Sequence, residues 1–320
     1  MSSPHSAGRT GLLLAWIALL ALPFLAPNEH VLFLGIQFLI NLILLASLNT
    51  LMGWAGQISL CHAGFFGLGA YASGIASTKA GVSPWLGLAL AAMVAGLIAA
   101  AVGRPALRLK GHTLAMATLG LNSILSVLFT QLVPLTGGPN GLLGVPPLSL
   151  PDDVLTTAWS TFLAAWIATG IVLLALLNLI QSRLGRALGA IAFNETAAAA
   201  AGIDASQLKL QVFVLTAGMA GLAGGLYVHA NQYVSPETSG TSVSVLLVAM
   251  VAIGGWGRYW GAVPAALVMT LSPEFLQEAQ DAELLLFGVL MISVLLFFPG
   301  GLVAVPGAIS RVCARLLPNA

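Results

Sequence analysis

Apolar stretches of about 15 to 25 residues, separated by short polar or glycine-rich intervals, recur along the whole chain. A helix of about 20 apolar residues crosses roughly 30 Å of hydrocarbon, so each stretch reads as a membrane helix. Breaks at charges, prolines and glycine clusters predict ten spans: 11–27, 31–52, 57–77, 84–103, 112–134, 158–180, 208–230, 242–256, 259–273 and 284–299. The third, eighth and ninth are short, glycine-rich or polar, and for these a full crossing and a re-entrant turn both stay open. The first run, GLLLAWIALLALPFLAP, follows Arg9 and has the length of a signal-peptide core. No A-x-A-like cleavage site follows it before the next span, so it reads as the first helix.

Composition narrows the class. Of 320 residues, 58% are hydrophobic and 7% charged, against about 25% charged in soluble domains, and mean hydropathy is +0.99. The expected fold is an all-α polytopic membrane protein of about ten transmembrane helices. A net charge of +1 gives no electrostatic case for a nucleic-acid partner. Two cysteines, Cys61 and Cys313, are too few for a disulfide framework or a cysteine-built metal site and read as free thiols.

Charge sorting tests the span count. With the N-terminus inside and every span crossing, ten of the 11 basic residues fall on the inner side and only Lys79 outside. Eight of the 10 acidic residues, Glu29, Asp152, Asp153, Glu237, Glu274, Glu278, Asp281 and Glu283, fall outside. Short cytoplasmic loops collect Lys and Arg, so both termini are expected in the cytoplasm. The organisation is then an inner tail 1–10, a transmembrane domain 11–305 and an inner tail 306–320.

Two loops carry information. The outer LTGGPNGLLGVPPLSLPDD is rich in Pro and Gly and predicts a packed irregular loop. The inner loop, about 183–208, contains an alanine-rich segment ending at Gly202, which predicts a short helix along the cytoplasmic face. Within it Glu195, Ala197, Ala198 and Gly202 form E-x-A-A-x-x-x-G, followed by Asp204. The chain contains no Walker A loop, zinc-ligand helix or nucleophile elbow.

The scarce polar residues inside spans must find partners, because lipid supplies none. In LNTLMGWAGQISLCHAGFFGLGAYASG, Leu48 to Gly74, Gln57 and Ser59 serve equally well as pathway lining or as interhelical ties. His62 reads as a neutral group bonded to backbone or to Ser59, since the spans hold no Asp or Glu to complete a proton relay. Asn41, Asn49 and Asn122 read as interhelical ties. Gly64, Gly67, Gly69 and Gly74, with Gly218, Gly221, Gly224 and Gly225, predict close helix approach or broken helices. Trp54, Tyr71, Trp256, Tyr259 and Trp260 fit an interfacial belt. G-W-x-G at Gly53 and G-G-W-G at Gly254 hint at an internal repeat.

Taken together, GWAGQISLCHAGFFGLGAY from Gly53, RLKGHTLAMATLG from Arg108, LTGG from Leu135, GRALGAIAFNETAAAAAGID from Gly185, AGLAGGLY from Ala220 and GGWGRYWGAVPAAL from Gly254 resemble the LivM-type permease subunits of branched-chain amino acid ABC importers. These belong to a wider hydrophobic amino acid and amide uptake family, and the resemblance covers roughly residues 40 to 305. It implies a location in the bacterial cytoplasmic membrane, a homologous second permease, two ATP-binding subunits and an external substrate-binding protein. ATP and Mg would be used by those ATPases, with no cofactor, catalytic residue or metal on this chain. The inner loop would be the coupling segment, with Arg186, Glu195, Ala197, Ala198, Gly202 and Asp204 at the ATPase interface. Ala192 and Phe193 depart from the family, which usually carries a charged pair there, so a less ionic contact is implied. Cys61 replaces a usual glycine, and Ala262 departs from a common Gly-Pro step.

The cargo expected is leucine, isoleucine or valine, with urea, short amides or other amino acids as alternatives. Two other classes compete. An ion-coupled transporter would need intramembrane carboxylates, which the spans lack. An intramembrane hydrolase would use Ser59 and His62, which three-residue spacing places on one face if both are helical.

Overall fold

The computed structural model describes residues 29–109, 111–149, 157–275 and positions 288, 292, 301 and 302. The expected spans 11–27 and 284–299, apart from positions 288 and 292, lie outside these residues, as do both tails and Cys313.

Helix α1 (Glu29–Asn49) continues into a π-helical turn, Thr50–Trp54. Helices α2 (His62–Lys79), α3 (Pro84–Ala106) and α4 (His112–Gln131) follow. The expected irregular loop contains α5 (Val133–Thr136), a 3-10 turn and β1 (Leu142–Leu143). Next come α6 (Thr157–Gln181), α7 (Arg183–Phe193), α8 (Glu195–Ala200) and α9 (Ala205–Asn231). After β2 (Tyr233–Val234) and a 3-10 turn, Pro236–Ser239, the chain forms α10 (Thr241–Gly254), a further 3-10 turn and α11 (Ala262–Phe275).

Five described helices are long and apolar enough to cross a membrane: α1 with its π turn, α3, α4, α6 and α9. The most apolar windows of α1 and α9 are each 72% buried, whereas those of α3, α4 and α6 are 28–33% buried. The first pair therefore forms the centre, and the others turn apolar faces such as Met116, Ile124 and Ile171 outward. Such faces suit hydrocarbon, and the chain is a multi-pass membrane protein.

Glycine makes the centre possible. A methyl at Gly224 would overlap the Phe66 carbonyl, and one at Gly69 would overlap Gly221, so α2 and α9 meet backbone to backbone. On the other flank of α9, a Cβ on Gly225 would lie 2.9 Å from that of Ala91 in α3. Lipid tails are as apolar as leucine, so such close approach holds membrane helices together by van der Waals contact. The expectation for both glycine sets is met.

Three predicted spans are corrected. The third begins at His62 rather than 57, because Gly56 has φ +65 and residues 57–61 form no helix. The eighth is α10, whose 14 residues reach only about 21 Å at 1.5 Å each. The ninth is a 3-10 turn followed by α11, also 14 residues. Gly255 at φ +120 and Gly257 at φ +68 end α10.

The two ends of the bundle differ. One carries α7 and α8. At the opposite, far end the 133–149 loop packs inward: β1 pairs antiparallel with β2, Leu142 opposite Val234, and Trp85 donates to the Ser149 carbonyl at 3.1 Å. His30 and Glu274 also meet there at 2.9 Å, joining the start of α1 to the end of α11.

Candidate permeation and coupling sites

Two interrupted helices place polar groups inside the bundle. The first interruption follows the π turn. The Leu60 N–H donates to Thr118 Oγ1 at 3.0 Å, and Ser59 Oγ faces the Cys61 N–H at 3.5 Å. His62 opens α2 and is 2% exposed. Its Nε2 lies 2.8 Å from Ser47 Oγ, not on Ser59. Ser47 gives its single hydrogen to the Leu44 carbonyl at 3.0 Å, so the imidazole Nε2–H is the donor. Ser59 precedes the helix, so the shared face expected of Ser59 and His62 is absent. Gln57 is buried, and neither of its amide atoms has a hydrogen-bond partner among the described residues.

The second interruption precedes α10. Gly67, the sixth residue of α2, packs against Ser239 so closely that a methyl would overlap the Ser239 side chain. Asn122, in the middle of α4, donates to the Ser239 carbonyl at 3.3 Å and accepts from Ser244 Oγ at 3.1 Å. The chain thus descends from β2 to mid-height before α10 begins. Short or glycine-interrupted helices in two halves of a transporter are a recognised way to expose helix ends to a pathway. Asn122 serves here as an interhelical tie.

The two G-W motifs meet. Asn49 Oδ1 accepts from the Gly257 N–H at 3.0 Å while Nδ2 donates to the Arg258 carbonyl at 2.8 Å. Trp256 donates to the Met52 carbonyl at 3.1 Å. Tyr259 donates to the Leu173 carbonyl at 2.9 Å. Tyr71 is not part of a surface belt: it is buried and stacks on Phe129 with centroids 4.6 Å apart.

The loop end is a built scaffold of two short helices instead of the single one expected. Ser182 caps α7 by accepting from Leu184 N–H and Gly185 N–H. Asn194 caps α8 by accepting from Ala197 N–H at 3.0 Å, and Asp204 caps α9 by accepting from Gln207 N–H at 3.0 Å. Such caps satisfy donors that helix starts leave open. Glu195 pairs with Lys209 at 3.0 Å. Ala198 is buried with Ile191 and Ala205 in a small core, so it shapes the loop and offers no surface to a partner. Ala197, Gly202 at φ +83, Asp204 and Arg186 are exposed. Arg186 donates to the Gln181 carbonyl at 3.4 Å. Phe193, at the turn between α7 and α8, is 93% exposed. Beside it, Ala192 backs onto Gly56: a Cβ there would lie 3.3 Å from Ala192 Cα.

Sequence reading missed the far end. His229 is fully buried; its Nδ1 lies 2.6 Å from the Pro146 carbonyl and its Nε2 2.8 Å from Ser73 Oγ. A carbonyl only accepts, so Nδ1–H donates, and in the neutral ring Nε2 accepts from Ser73. A cavity of about 510 Å³ opens beside it, lined by Glu29, Phe33, Ile36, Thr161, His229 and Gln232 among others. Its residues come from four separate segments, with no motif spacing to reveal them.

Apolar outer helices, a glycine-packed centre and polar groups at two helix breaks define a helical membrane protein built around interrupted spans. A family model described as branched-chain amino acid transport system / permease component matches residues 31–295, and the chain belongs to that family. It is 29% identical over 305 residues to the high-affinity branched-chain amino acid transport system permease protein LivM of Salmonella typhimurium, covering 88% of this chain and 72% of that protein. With the Escherichia coli LivM the identity is 30% over 287 residues, covering 82% and 68%. The ribose import permease protein RbsC of Escherichia coli is 28% identical over 281 residues, covering 80% and 82%. No solved structure matches the chain.

Proposed function

We propose that this chain is a membrane-spanning permease subunit of an ATP-binding cassette importer in the bacterial cytoplasmic membrane, carrying leucine, isoleucine or valine inward. In this reading about ten apolar segments occupy the membrane, α10 and α11 entering it as short helices, both termini are cytoplasmic, and the α7–α8 end faces the cytoplasm. The permease domain covers 11–305, and loop 183–208 couples it to one of two ATP-binding subunits. Those subunits use ATP and Mg; this chain binds no cofactor and catalyses nothing. A homologous permease completes the pathway, and an external binding protein delivers cargo at the far end.

The observation that carries the reading is the loop end of the bundle. A capped, ion-paired scaffold holds Phe193 93% exposed, and its neighbour Ala192 rests on Gly56 in the break before α2. A push on this loop therefore reaches the interrupted helix directly. Selection by a binding protein fits a described bundle interior whose polar groups are mostly paired with each other. Among the described residues Trp54 Nε1 and the Tyr71, Ser77 and Ser272 hydroxyls are also buried without a partner; Gln57, with both amide atoms unpaired in the break before α2, is the pathway candidate.

Co-purification and reconstitution test the proposal. ATP-dependent leucine uptake that needs this chain, a second permease, ATPases and a binding protein is the expected result. Uptake by this chain alone on a proton or sodium gradient would overturn it. Glu195→Ala with Gly202→Leu is expected to abolish ATPase association while membrane insertion persists; unchanged association rejects the coupling role. Similarity to a ribose permease makes ribose the control cargo.

A further inference from the structure

The far-end cavity has a backbone peculiarity. Among the described residues, eleven glycines have positive φ, and Gln232 at φ 56 is the single non-glycine that does. L side chains crowd the following carbonyl in this conformation, so glycine is the usual residue just past a helix end. Everywhere else the described backbone turns to positive φ the residue is glycine; at the end of α9 it is Gln232, whose side chain lines the cavity. Strain of this kind, once observed, points to a use for the side chain that causes it.

The exposed Gln232 amide makes no hydrogen bond among the described residues, and neither does the exposed Glu29 carboxylate of the same lining, although its neighbour His30 is paired with Glu274. Phe33, Ile36, Pro147, Ala158 and Ala230 supply apolar surface to the same lining, which also includes Thr161. His229 offers only its ring, because both nitrogens are engaged. A volume near 510 Å³ lies within the usual range for small-molecule sites. One carboxylate, one amide and several apolar side chains in one lining favour a ligand that brings a cationic group, which an uncharged sugar lacks. They match a small ligand with an ammonium group, a carboxylate and an aliphatic body.

We propose that this cavity between α1, α6 and α9 is a receiving site for a free aliphatic α-amino acid, with Glu29 taking the ammonium, the Gln232 amide the carboxylate, and Phe33, Ile36 and Ala158 the side chain. The site rests on the importer reading above and extends it by naming where cargo first meets the permease. It lies about 40 Å from the α7–α8 loop, the length of α9.

The test uses the assembled complex in nanodiscs without the binding protein, followed by saturation-transfer NMR with leucine, its deaminated counterpart 4-methyl-2-oxopentanoate, and ribose. Leucine is expected to receive saturation and ribose not. Gln232→Gly, which places the residue favoured by this backbone, is expected to fold at least as well and weaken leucine binding fivefold or more. Glu29→Gln is expected to weaken leucine while leaving the keto acid, which lacks the ammonium, unaffected. Equal leucine binding by all three proteins overturns the site, as does saturation of ribose alone. Variants that change only the affinity for the binding protein would make the cavity a docking contact for that protein and equally overturn it. Leucine uptake by the wild-type importer with no variant effect removes only this site, whereas absence of any aliphatic amino acid uptake removes the importer reading itself.

Discussion

Ser244 donates its hydroxyl to Asn122 Oδ1 at 3.1 Å, fastening the start of α10 to the middle of α4. Asn122 also holds the Ser239 carbonyl, so one amide fixes both sides of the turn into α10. Asn122→Ala leaves a buried hydroxyl and a carbonyl unsatisfied and is expected to cost about 1–3 kcal/mol. Thermal unfolding in detergent measures this. A double-mutant cycle with Ser244→Ala should give a coupling near 0.6 kcal/mol, the typical value for such bonds in membranes.

Gly224→Ala is expected to force α2 from α9, because the new methyl meets the Phe66 carbonyl, which belongs to rigid helix backbone. Overpacking of this kind costs about 1–3 kcal/mol, occasionally more. Gly120→Ala, where no heavy atom lies within 4 Å, is the matched control and should leave the melting temperature unchanged or slightly raised. Equal effects of the two substitutions would refute the packing account.

Gln57→Leu separates structure from transport. Removing an unpartnered buried amide relieves a desolvation penalty of about 1–3 kcal/mol, so the variant should be as stable as the parent or more so. Uptake in the reconstituted importer should nevertheless fall if the amide serves the pathway. A stable variant with normal uptake would assign Gln57 to packing alone.

Phe193→Ser should not disturb the fold, since the side chain is 93% exposed. Exposed aromatic anchors often dominate an interface, and loss of at least tenfold in affinity for the ATPase, about 1.4 kcal/mol, is expected. Titration of the ATPase onto membranes bearing each variant provides the readout. Unchanged affinity would move the contact elsewhere on the α7–α8 scaffold.

Local chemistry is legible in the order of residues alone. Asn194, Asp204 and Gly202 stand where helix starts and stops need them. The glycines of α2 and α9 announce close approach, though not which partners meet. Their pairing depends on how two helices far apart in sequence are rotated. The expected partner of His62, backbone or Ser59, is replaced by Ser47 of α1, and the helical face that a Ser59–His62 pair would share is missing because Gly56 ends the helix.

The sequence by itself determined that the chain is a bundle of apolar helices with a polar loop at one end, because lipid forces each span to satisfy its own backbone and so to declare itself by length and hydropathy. Only the tertiary structure decided where spans break, how Asn122 and Asn49 are used, and that Glu29 and Gln232 share a cavity. The breaks turn on backbone conformations such as those at Gly56 and Gly255, and the other outcomes on contacts between residues more than a hundred positions apart, which no local pattern encodes.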